Sequence, residues 1–221
     1  MKVLPRSSAD KNELRRGDVL LKVNGRHPKG LQSILDVSGE FEVRRFAKHL
    51  RVNLVAEELH EDLAMTIDKV AGVGVLRLPS FLPQYFSDEK VLQQKMIQLQ
   101  GTKKIVIDLR GNAGGSFPGM LRVLSYFFCS STEIGELFHP AGSQGDELLP
   151  NDLRAETQLE TLNRAKRVHL KTFVREHCLS QKLNVLIDQE TGSVAEIFAQ
   201  ALKEQRQART FGMNTSGQVV M

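Results

Sequence analysis

The sequence predicts an α/β core preceded by a smaller β-rich segment. Short apolar runs rich in β-branched residues, as in buried parallel strands, alternate with segments of helical spacing, and this alternation predicts the core. Near the beginning of the chain, short alternating runs are separated by turn signals, and this pattern predicts the β-rich segment. Hydrophobic residues make up 41% and charged residues 25% of the 221 residues, so a packed fold is expected.

The first segment contains three strand candidates. Val19 to Val23 is a short apolar strand followed by Asn24-Gly25, which is a strong hairpin signal. Ser38-Gly39 marks a second turn, and residues 41–55 then alternate between apolar and polar side chains. We predict two paired strands in this stretch, joined by a tight turn at residues 47–49.

The second segment alternates strand and helix patterns. Three compact apolar runs are typical of buried strands: Val73 to Leu78, Lys104 to Leu109 and Asn184 to Ile187. Helical spacing predicts three helices, over Asp88 to Leu99, Phe117 to Phe128 and Val194 to Glu204. Residues 139–162 are polar and rich in turn formers, so we predict an excursion from the core there, within a polar insertion near 139–182.

Composition argues against several classes of function. The net charge of +4 is mild and the basic residues are scattered, so we predict no nucleic-acid partner. Cys129 and Cys178 have no metal-ligand spacing and form no disulfide framework; two buried free thiols are the favoured interpretation, and one bridge is the alternative. No apolar run reaches the roughly 20 residues that cross a bilayer. Nothing in the sequence calls for a metal or an organic cofactor.

A glycine-rich loop follows the second buried strand. It contains Gly111, Gly114 and Gly115, and consecutive glycines let a backbone present N–H groups to an anion or an oxyanion. It is not a nucleotide-binding P-loop, because no Gly-Lys-Ser/Thr follows. On local sequence alone, a plain strand-to-helix turn explains the loop equally simply.

A serine begins the last predicted helix. Ser193 and Glu196 have the Ser-x-x-Glu spacing of a capping box, and capping alone explains this pair in isolation. The functional alternative is that Ser193 is a nucleophile at a helix N-terminus. The N–H of Val194 would then be available to a developing oxyanion.

Taken in order, five motifs resemble the tail-specific (C-terminal processing) serine protease family, whose core is similar to that of interphotoreceptor retinoid-binding protein. LRRGDVLLKVNG resembles part of the family's PDZ domain, and VGVLRLPSF resembles its first core strand. KIVIDLRGNAGGS resembles the glycine loop and NVLIDQETGSVAEIFAQAL the nucleophile strand, turn and helix. FGMNTSG corresponds to the family's Gly-Glu-x-Thr-x-Gly segment.

The resemblance implies an α/β core, with a parallel or mixed sheet and crotonase-like ββα units, over residues 58–221. A partial PDZ-like module over residues 1–57 would precede it. By the same carry-over, Ser193 attacks the scissile carbonyl, and Glu196 orients the base side of the site or caps its helix. The N–H of Val194 and one from Gly114 or Gly115 would form the oxyanion hole.

The chain departs from the family pattern at the expected base. Many members have a lysine where this sequence has Gln218, and a glutamine amide accepts no proton at neutral pH. Lys203 is ten positions along the helix from Ser193, which turns it away from the serine. Other branches of the family use a histidine that precedes the PDZ module. Of the histidines present, none occupies a family base position, and His139 is the one worth testing.

Three functions remain open after this comparison. The first is a serine endopeptidase that cleaves proteins at or near their C-termini, with the PDZ-like module recognising the tail and a base supplied from elsewhere. The second is a catalytically silent relative that binds peptide C-termini, and the third is an adaptor built on the PDZ-like surface. The resemblance also implies protein or peptide substrates, an extracytoplasmic location such as the bacterial periplasm or envelope, and a homo-oligomer as one assembly. Because the motifs begin inside the PDZ module and stop before the last core strands, we expect a piece of a longer polypeptide or a degenerate relative.

Overall fold

The computed structural model describes residues 7–15, 17–29, 34, 37–56 and 63–219. The chain divides into two compact units, Met1–Asp62 and Leu63–Met221, which we describe separately. The predicted boundary between residues 57 and 58 lies outside the described residues. No helix in the described ranges is long and apolar enough to cross a membrane.

The first unit contains a short helix and a three-stranded antiparallel sheet. The helix is α1 (Ser8–Lys11), and the strands are β1 (Val19–Val23), β2 (Gly39–Arg45) and β3 (Lys48–Leu54), in the order β1-β2-β3. Phe41 and Val43 of β2 are buried, whereas the flanking positions of that strand are more exposed.

Two turns of the first unit differ from the prediction. Asn24-Gly25 does form a tight turn, with φ of 48° and 77°, but the residues that follow add only a single bridge from Arg26 to Val23. The partner of β1 is β2, which begins 14 residues after Gly25 according to the strand bounds. The turn between β2 and β3 is Phe46-Ala47 rather than residues 47–49, because Lys48 already pairs with Arg45.

The second unit contains the remaining elements. Its strands are β4 (Thr66–Val70), β5 (Val73–Arg77), β6 (Lys104–Asp108), β7 (Glu133–Phe138), β8 (Gln144–Leu148), β9 (Ala165–Lys171), β10 (Lys182–Ile187) and β11 (Arg209–Gly212). Its helices are α2 (Glu89–Ile97), α3 (Phe117–Leu124), α4 (Ala155–Arg164) and α5 (Val194–Gln205). Single turns of 3₁₀-helix follow at Pro83–Tyr85 and, directly after α3, at Ser125–Phe127.

The main sheet has the order β11-β10-β6-β5-β4. Strands β5, β6, β10 and β11 are parallel, and β4 is antiparallel to β5. Ile105 pairs with Leu183 and Ile107 with Val185, so these apolar side chains share one face of the sheet and enter the core. Phe198 and Leu202 of α5 belong to the same core. The predicted α/β class is therefore confirmed as a mixed α/β fold.

The predicted polar insertion contains most of a second sheet. Strands β7, β9 and β8 form this sheet, in that order, and α4 precedes β9. Val168 and Leu170 lie on the same face of β9 and belong to the core cluster, so sparse apolar residues with a period of two anchor a strand whose other face is polar. Residues 139–162 contribute only Leu149 to the buried residues of that cluster, and the excursion expected there stays a prediction.

The prediction of two buried free thiols is also wrong. Cys129 and Cys178 form a disulfide, with their Cα atoms 5.3 Å apart. Cys129 follows the 3₁₀ turn after α3 and is exposed, while Cys178 lies between β9 and β10. The two cysteines are 49 positions apart in sequence, and only the tertiary fold brings them within bonding reach.

Candidate active site

Three loops meet at the carboxyl-terminal end of the parallel strands of the main sheet. They follow β6, β10 and β11, which are neighbouring parallel strands, so the loops leave the sheet from the same end. In open α/β sheets, active and ligand-binding sites lie at this end of the strands. The loop after β6 carries the glycines, and the loop after β10 carries Ser193. The loop after β11 carries Gln218.

The glycine loop is built around a buried asparagine. The side-chain Nδ2 of Asn112 donates to the Leu78 carbonyl oxygen (2.8 Å), and the side-chain Oδ1 of Asn112 accepts the Gly114 N–H (2.8 Å). The Gly114 N–H is therefore occupied. Gly115 is exposed, and its N–H donates no hydrogen bond within the described part of the chain. Of the two predicted oxyanion donors, Gly115 is the one whose N–H is available.

The glycine loop packs directly on the serine turn. A Cβ atom at Gly114 would lie 2.8 Å from the Ser193 Cβ and 3.3 Å from the Ser193 Oγ. Gly114 also has a φ of 108°, so both its conformation and the proximity of Ser193 require glycine. The structure thus brings the two predicted loops together at Ser193.

Hydrogen bonds fix the loop after β10 in place. The Gly192 N–H donates to the Asn112 carbonyl oxygen (2.9 Å), and the Thr191 hydroxyl donates to the Leu109 carbonyl oxygen (3.0 Å). The Asp188 carboxylate accepts the Gly111 N–H (3.0 Å). Burial raises the pKa of Asp188, but hydrogen bonds from Gly111 and the following loop outweigh it and hold the pKa below its usual range. The carboxylate therefore remains a charged acceptor for the loop.

Ser193 has an unusual backbone conformation for a residue with a side chain. Its φ is 55° and its ψ is −131°, in a region that costs of order 1–3 kcal/mol for residues other than glycine. The side chain is half-buried, and the hydroxyl donates no hydrogen bond to another described residue. Val194 is the first residue of α5, and its N–H is likewise free of any described partner. The turn therefore presents a hydroxyl beside an unpaired N–H.

The capping box predicted for α5 is present. The Ser193 N–H donates to the Glu196 carboxylate (2.9 Å), and the Glu196 N–H faces the Ser193 side chain while donating to the Ser193 carbonyl oxygen (2.9 Å). In this motif the Ser193 oxygen is an acceptor only. Its hydroxyl proton is donated to no described residue and is therefore available for another role.

Glu196 also binds the third loop. Its side chain is buried, and its two oxygens accept the N–H groups of Gly217 and Gln218, both at 2.9 Å, in addition to that of Ser193. One carboxylate thus joins the serine turn to the main chain of residues 217 and 218. Sequence spacing predicted the contact with Ser193 but not the one with the third loop.

The third loop places Gln218 beside the serine turn. The Ser216 N–H donates to the Thr191 carbonyl oxygen (2.9 Å). A Cβ atom at Gly192 would lie 2.6 Å from the Ser216 Oγ and 3.6 Å from the Gln218 Oε1. The Gln218 side chain therefore lies close to Gly192, the residue before Ser193. Ser216 was not singled out from the sequence, and no local pattern marks it.

Neither remaining base candidate joins this site. Lys203 is in the last turn of α5, and ten helical residues place it about 15 Å along the axis from Ser193. His139 follows β7 in the second sheet, where its main-chain N–H donates to the Lys166 carbonyl oxygen (3.0 Å). Among the described residues, no lysine or histidine hydrogen-bonds the Ser193 hydroxyl.

Comparison with known proteins identifies the family. Residues 72–221 match Peptidase family S41, and this match spans the main sheet from β5 onward and all three loops. The chain belongs to peptidase family S41. The resemblance inferred from the ordered motifs is confirmed.

Curated S41 relatives align along almost the whole chain. A protein of Staphylococcus aureus strain N315, named "Probable CtpA-like serine protease", is 25% identical over 97% of this chain. The protein of the same name from Staphylococcus epidermidis is 22% identical over the same share. The chain spans about 40% of the length of these relatives.

Solved structures agree on the fold. The photosystem II D1 C-terminal processing protease superposes over 97% of this chain and 55% of its own, with a TM-score of 0.64 and 20% identity. Mature CPAF in complex with lactacystin covers 94% of this chain and 65% of its own, with a TM-score of 0.51 and 15% identity.

Proposed function

We propose that this chain forms the tail-binding and nucleophile-bearing part of a serine endopeptidase that cleaves proteins at or near their C-termini. The observation that carries the proposal is the Ser193 hydroxyl, which donates to no described residue and lies on a turn that packs on the glycine loop and carries the unpaired Val194 N–H. Membership of family S41 supports the reaction class. Protein or peptide chains are accordingly the substrates, and an extracytoplasmic location remains part of this proposal.

In this mechanism the Ser193 Oγ attacks the scissile carbonyl carbon and transfers its proton to a base. The carbonyl oxygen becomes an oxyanion, to which the N–H groups of Gly115 and Val194 would donate. The peptide C–N bond then breaks as the leaving amine takes up a proton. The resulting acyl-enzyme ester is hydrolysed by water, which restores the serine.

No described residue supplies the base in this mechanism. The sequence has Gln218 where many members of the family have a lysine, and an amide takes up no proton at neutral pH. A serine without a base is a poor nucleophile. We propose that the base comes from a residue beyond those described here, in a longer polypeptide or a partner protein.

Glu196 is a positioning residue in this scheme. It contacts the main chain on both sides of the site and holds the turn of Ser193 against residues 217 and 218. Its carboxylate oxygens already accept three N–H groups, so it is occupied as an acceptor and is not assigned the role of base.

The first unit would bind the substrate tail. Within the described residues, β3 pairs with a strand on one side only, whereas the free side of β1 already carries the Val23–Arg26 bridge. The edge of β3 is therefore the one to which an extended peptide would add as a further strand. This mode uses main-chain hydrogen bonds, and it is the role that the PDZ-like interpretation of residues 1–57 assigns to the module.

The second candidate function is a catalytically silent relative that binds peptide C-termini. The specific observation in its favour is Gln218 itself, which leaves the Ser193 hydroxyl without a proton acceptor in the described part of the chain. The Ser193 turn would then serve only as the N-terminus of α5.

Labelling with a fluorophosphonate serine probe tests the proposal. Wild type, Ser193→Ala and Ser180→Ala are compared, both on this chain and on the longer polypeptide that we propose contains it. We expect the longer polypeptide to label, Ser193→Ala to abolish the label and Ser180→Ala, at an exposed serine, to retain it. Labelling that survives Ser193→Ala would contradict the assignment of the nucleophile.

The variant Gln218→Lys separates the two candidates. One outcome is that folded wild-type protein does not label, either as this chain or as the longer polypeptide, whereas Gln218→Lys labels and requires Ser193 for it. The chain is then a silent relative that has lost its base. If wild type labels and Gln218→Lys adds nothing, another residue already serves as the base.

A further inference from the structure

A cationic cleft lies at the opposite end of the main sheet from the candidate active site. It has a volume of about 390 Å³ and is found where β6, β10 and β11 begin. Its lining includes four basic residues, which are Lys104, Lys182, Arg206 and Arg209. Among the described residues, no aspartate or glutamate lines it. Such a concentration of one sign of charge in a concave surface attracts anions.

The two lysines are adjacent on one face of the sheet. Lys104 and Lys182 are direct partners in the parallel register of β6 and β10, so their side chains leave the same face from strands about 4.8 Å apart. Like charges placed directly opposite each other destabilise a sheet. Neither lysine has an ion-pair partner in the described ranges. A bound anion would relieve this repulsion.

The arginines complete the cleft from the neighbouring strand and from the end of α5. Arg209 pairs in register with Asn184, which lies two residues after Lys182 and therefore on the same face. The Arg206 guanidinium donates to the carbonyl oxygens of Leu179 (3.1 Å) and Gln181 (3.5 Å), which fix it without neutralising its charge. Burial lowers the pKa of this guanidinium, as expected for a cation without a carboxylate partner.

We propose that this cleft binds a soluble anion carrying two or more phosphoryl groups. Four cations exceed what a single carboxylate can balance, and guanidinium groups match the oxygens of phosphates in a bidentate manner. The volume is that of a small-molecule site rather than of an extended polymer surface. Phe211, which is 49% exposed and lines the same cleft, adds an apolar wall that suits an organic phosphate ester.

The site is independent of the proposed peptidase chemistry. The five residues of β6 separate its first residue, Lys104, from the glycine loop by about 17 Å. A ligand in the cleft does not reach Ser193. Binding should therefore be the same in wild type and in Ser193→Ala, and it can fail or succeed whatever the outcome of serine labelling.

Calorimetric titration with inorganic pyrophosphate at fixed ionic strength tests this inference. The variant Lys104→Gln/Lys182→Gln removes two cleft charges. Its matched control, Lys69→Gln/Lys103→Gln, removes two exposed charges that do not line the cleft. We expect the cleft variant to weaken pyrophosphate binding roughly tenfold or more, because charge-assisted hydrogen bonds are lost, and the control to change it less than about twofold. Lys104→Arg/Lys182→Arg should retain binding.

Three results would overturn the proposal. One is the absence of pyrophosphate binding to wild type at millimolar concentration. Another is equal weakening in both double glutamine variants, which would mean an effect of overall charge alone. The last is cosedimentation with phosphatidylglycerol vesicles, lost in the cleft variant, from a protein that does not bind pyrophosphate. That outcome would assign the cleft to a membrane surface.

Discussion

At the scale of single residues, the site depends most on Glu196. Its carboxylate is buried and accepts N–H groups from Ser193, Gly217 and Gln218. A buried carboxylate is costly unless it is fully hydrogen-bonded, and here three donors offset that cost. The same bonds fix the loop after β10 and the loop after β11 to helix α5. Glu196 is therefore both a part of the fold and a determinant of the geometry around Ser193.

We predict that Glu196→Gln destabilises the protein by about 1–3 kcal/mol. A glutamine side chain presents an NH₂ group to at least one backbone N–H that the carboxylate now accepts, which leaves that donor unsatisfied. Chemical denaturation measures the change in the free energy of unfolding. The matched control is Glu204→Gln, at an exposed position of the same helix, for which a change within about 0.5 kcal/mol is expected. Equal effects of the two substitutions would show that Glu196 does not hold the loops.

Several site residues could be predicted from the sequence because their signal is local. Ser193 and Glu196 are three positions apart at a strand-to-helix turn, and the glycines follow a strongly apolar strand. The choice between Gly114 and Gly115 could not be predicted. It depends on Asn112, whose side chain occupies the Gly114 N–H through a contact that no sequence spacing announces. The role of Ser216 depends in the same way on the return of the chain after β11.

At the scale of elements, the second sheet changes how the middle of the chain is understood. Strand β9 supplies the buried residues of this sheet, Ala165, Val168 and Leu170, whereas no residue of β7 or β8 is fully buried. Strands β5, β6 and β10 were predictable because each is a compact apolar run, whereas β9 has one buried face and an exposed polar one. The disulfide is the covalent link of this region, and it joins the end of α3 to the connection before β10.

We predict that removing the disulfide lowers stability without unfolding the chain. Cys129 and Cys178 close a loop with a sequence separation of 49, for which chain entropy gives a stabilisation of about 4 kcal/mol as an upper expectation. Thermal melts of Cys129→Ser/Cys178→Ser, compared with wild type with and without reductant, measure the loss. The melting temperature of the variant should be lower and insensitive to reductant. A wild-type melting temperature that reductant does not change would contradict this account.

At the scale of the whole molecule, the chain consists of two units of unequal size. Every residue of the main hydrophobic core cluster lies between Met65 and Ala208, so the larger unit encloses that core by itself. The smaller unit buries only Val23, Phe41 and Val43 among its described apolar side chains. Most of the stability of the chain should therefore reside in the larger unit.

We predict that residues 63–221 fold without the smaller unit. Their core includes the side chains of both sheets and of α5, and every described member of that cluster is Met65 or a later residue. The shortened protein should melt cooperatively, within several degrees of the main transition of the full chain, and should show the same mixed α/β circular dichroism. Loss of cooperative melting in the shortened protein would show that the first unit is required for the fold.

The hydrogen bonds of Glu196 also bear on how such a site changes during evolution. They hold residues 217 and 218 by their backbone amides, so the side chain at 218 is free to vary while its position stays fixed. Under the proposed function, a single codon change at this position would add or remove a proton acceptor while the surrounding main chain stays in place. Descendants of one such scaffold would then differ in peptidase activity through this one residue.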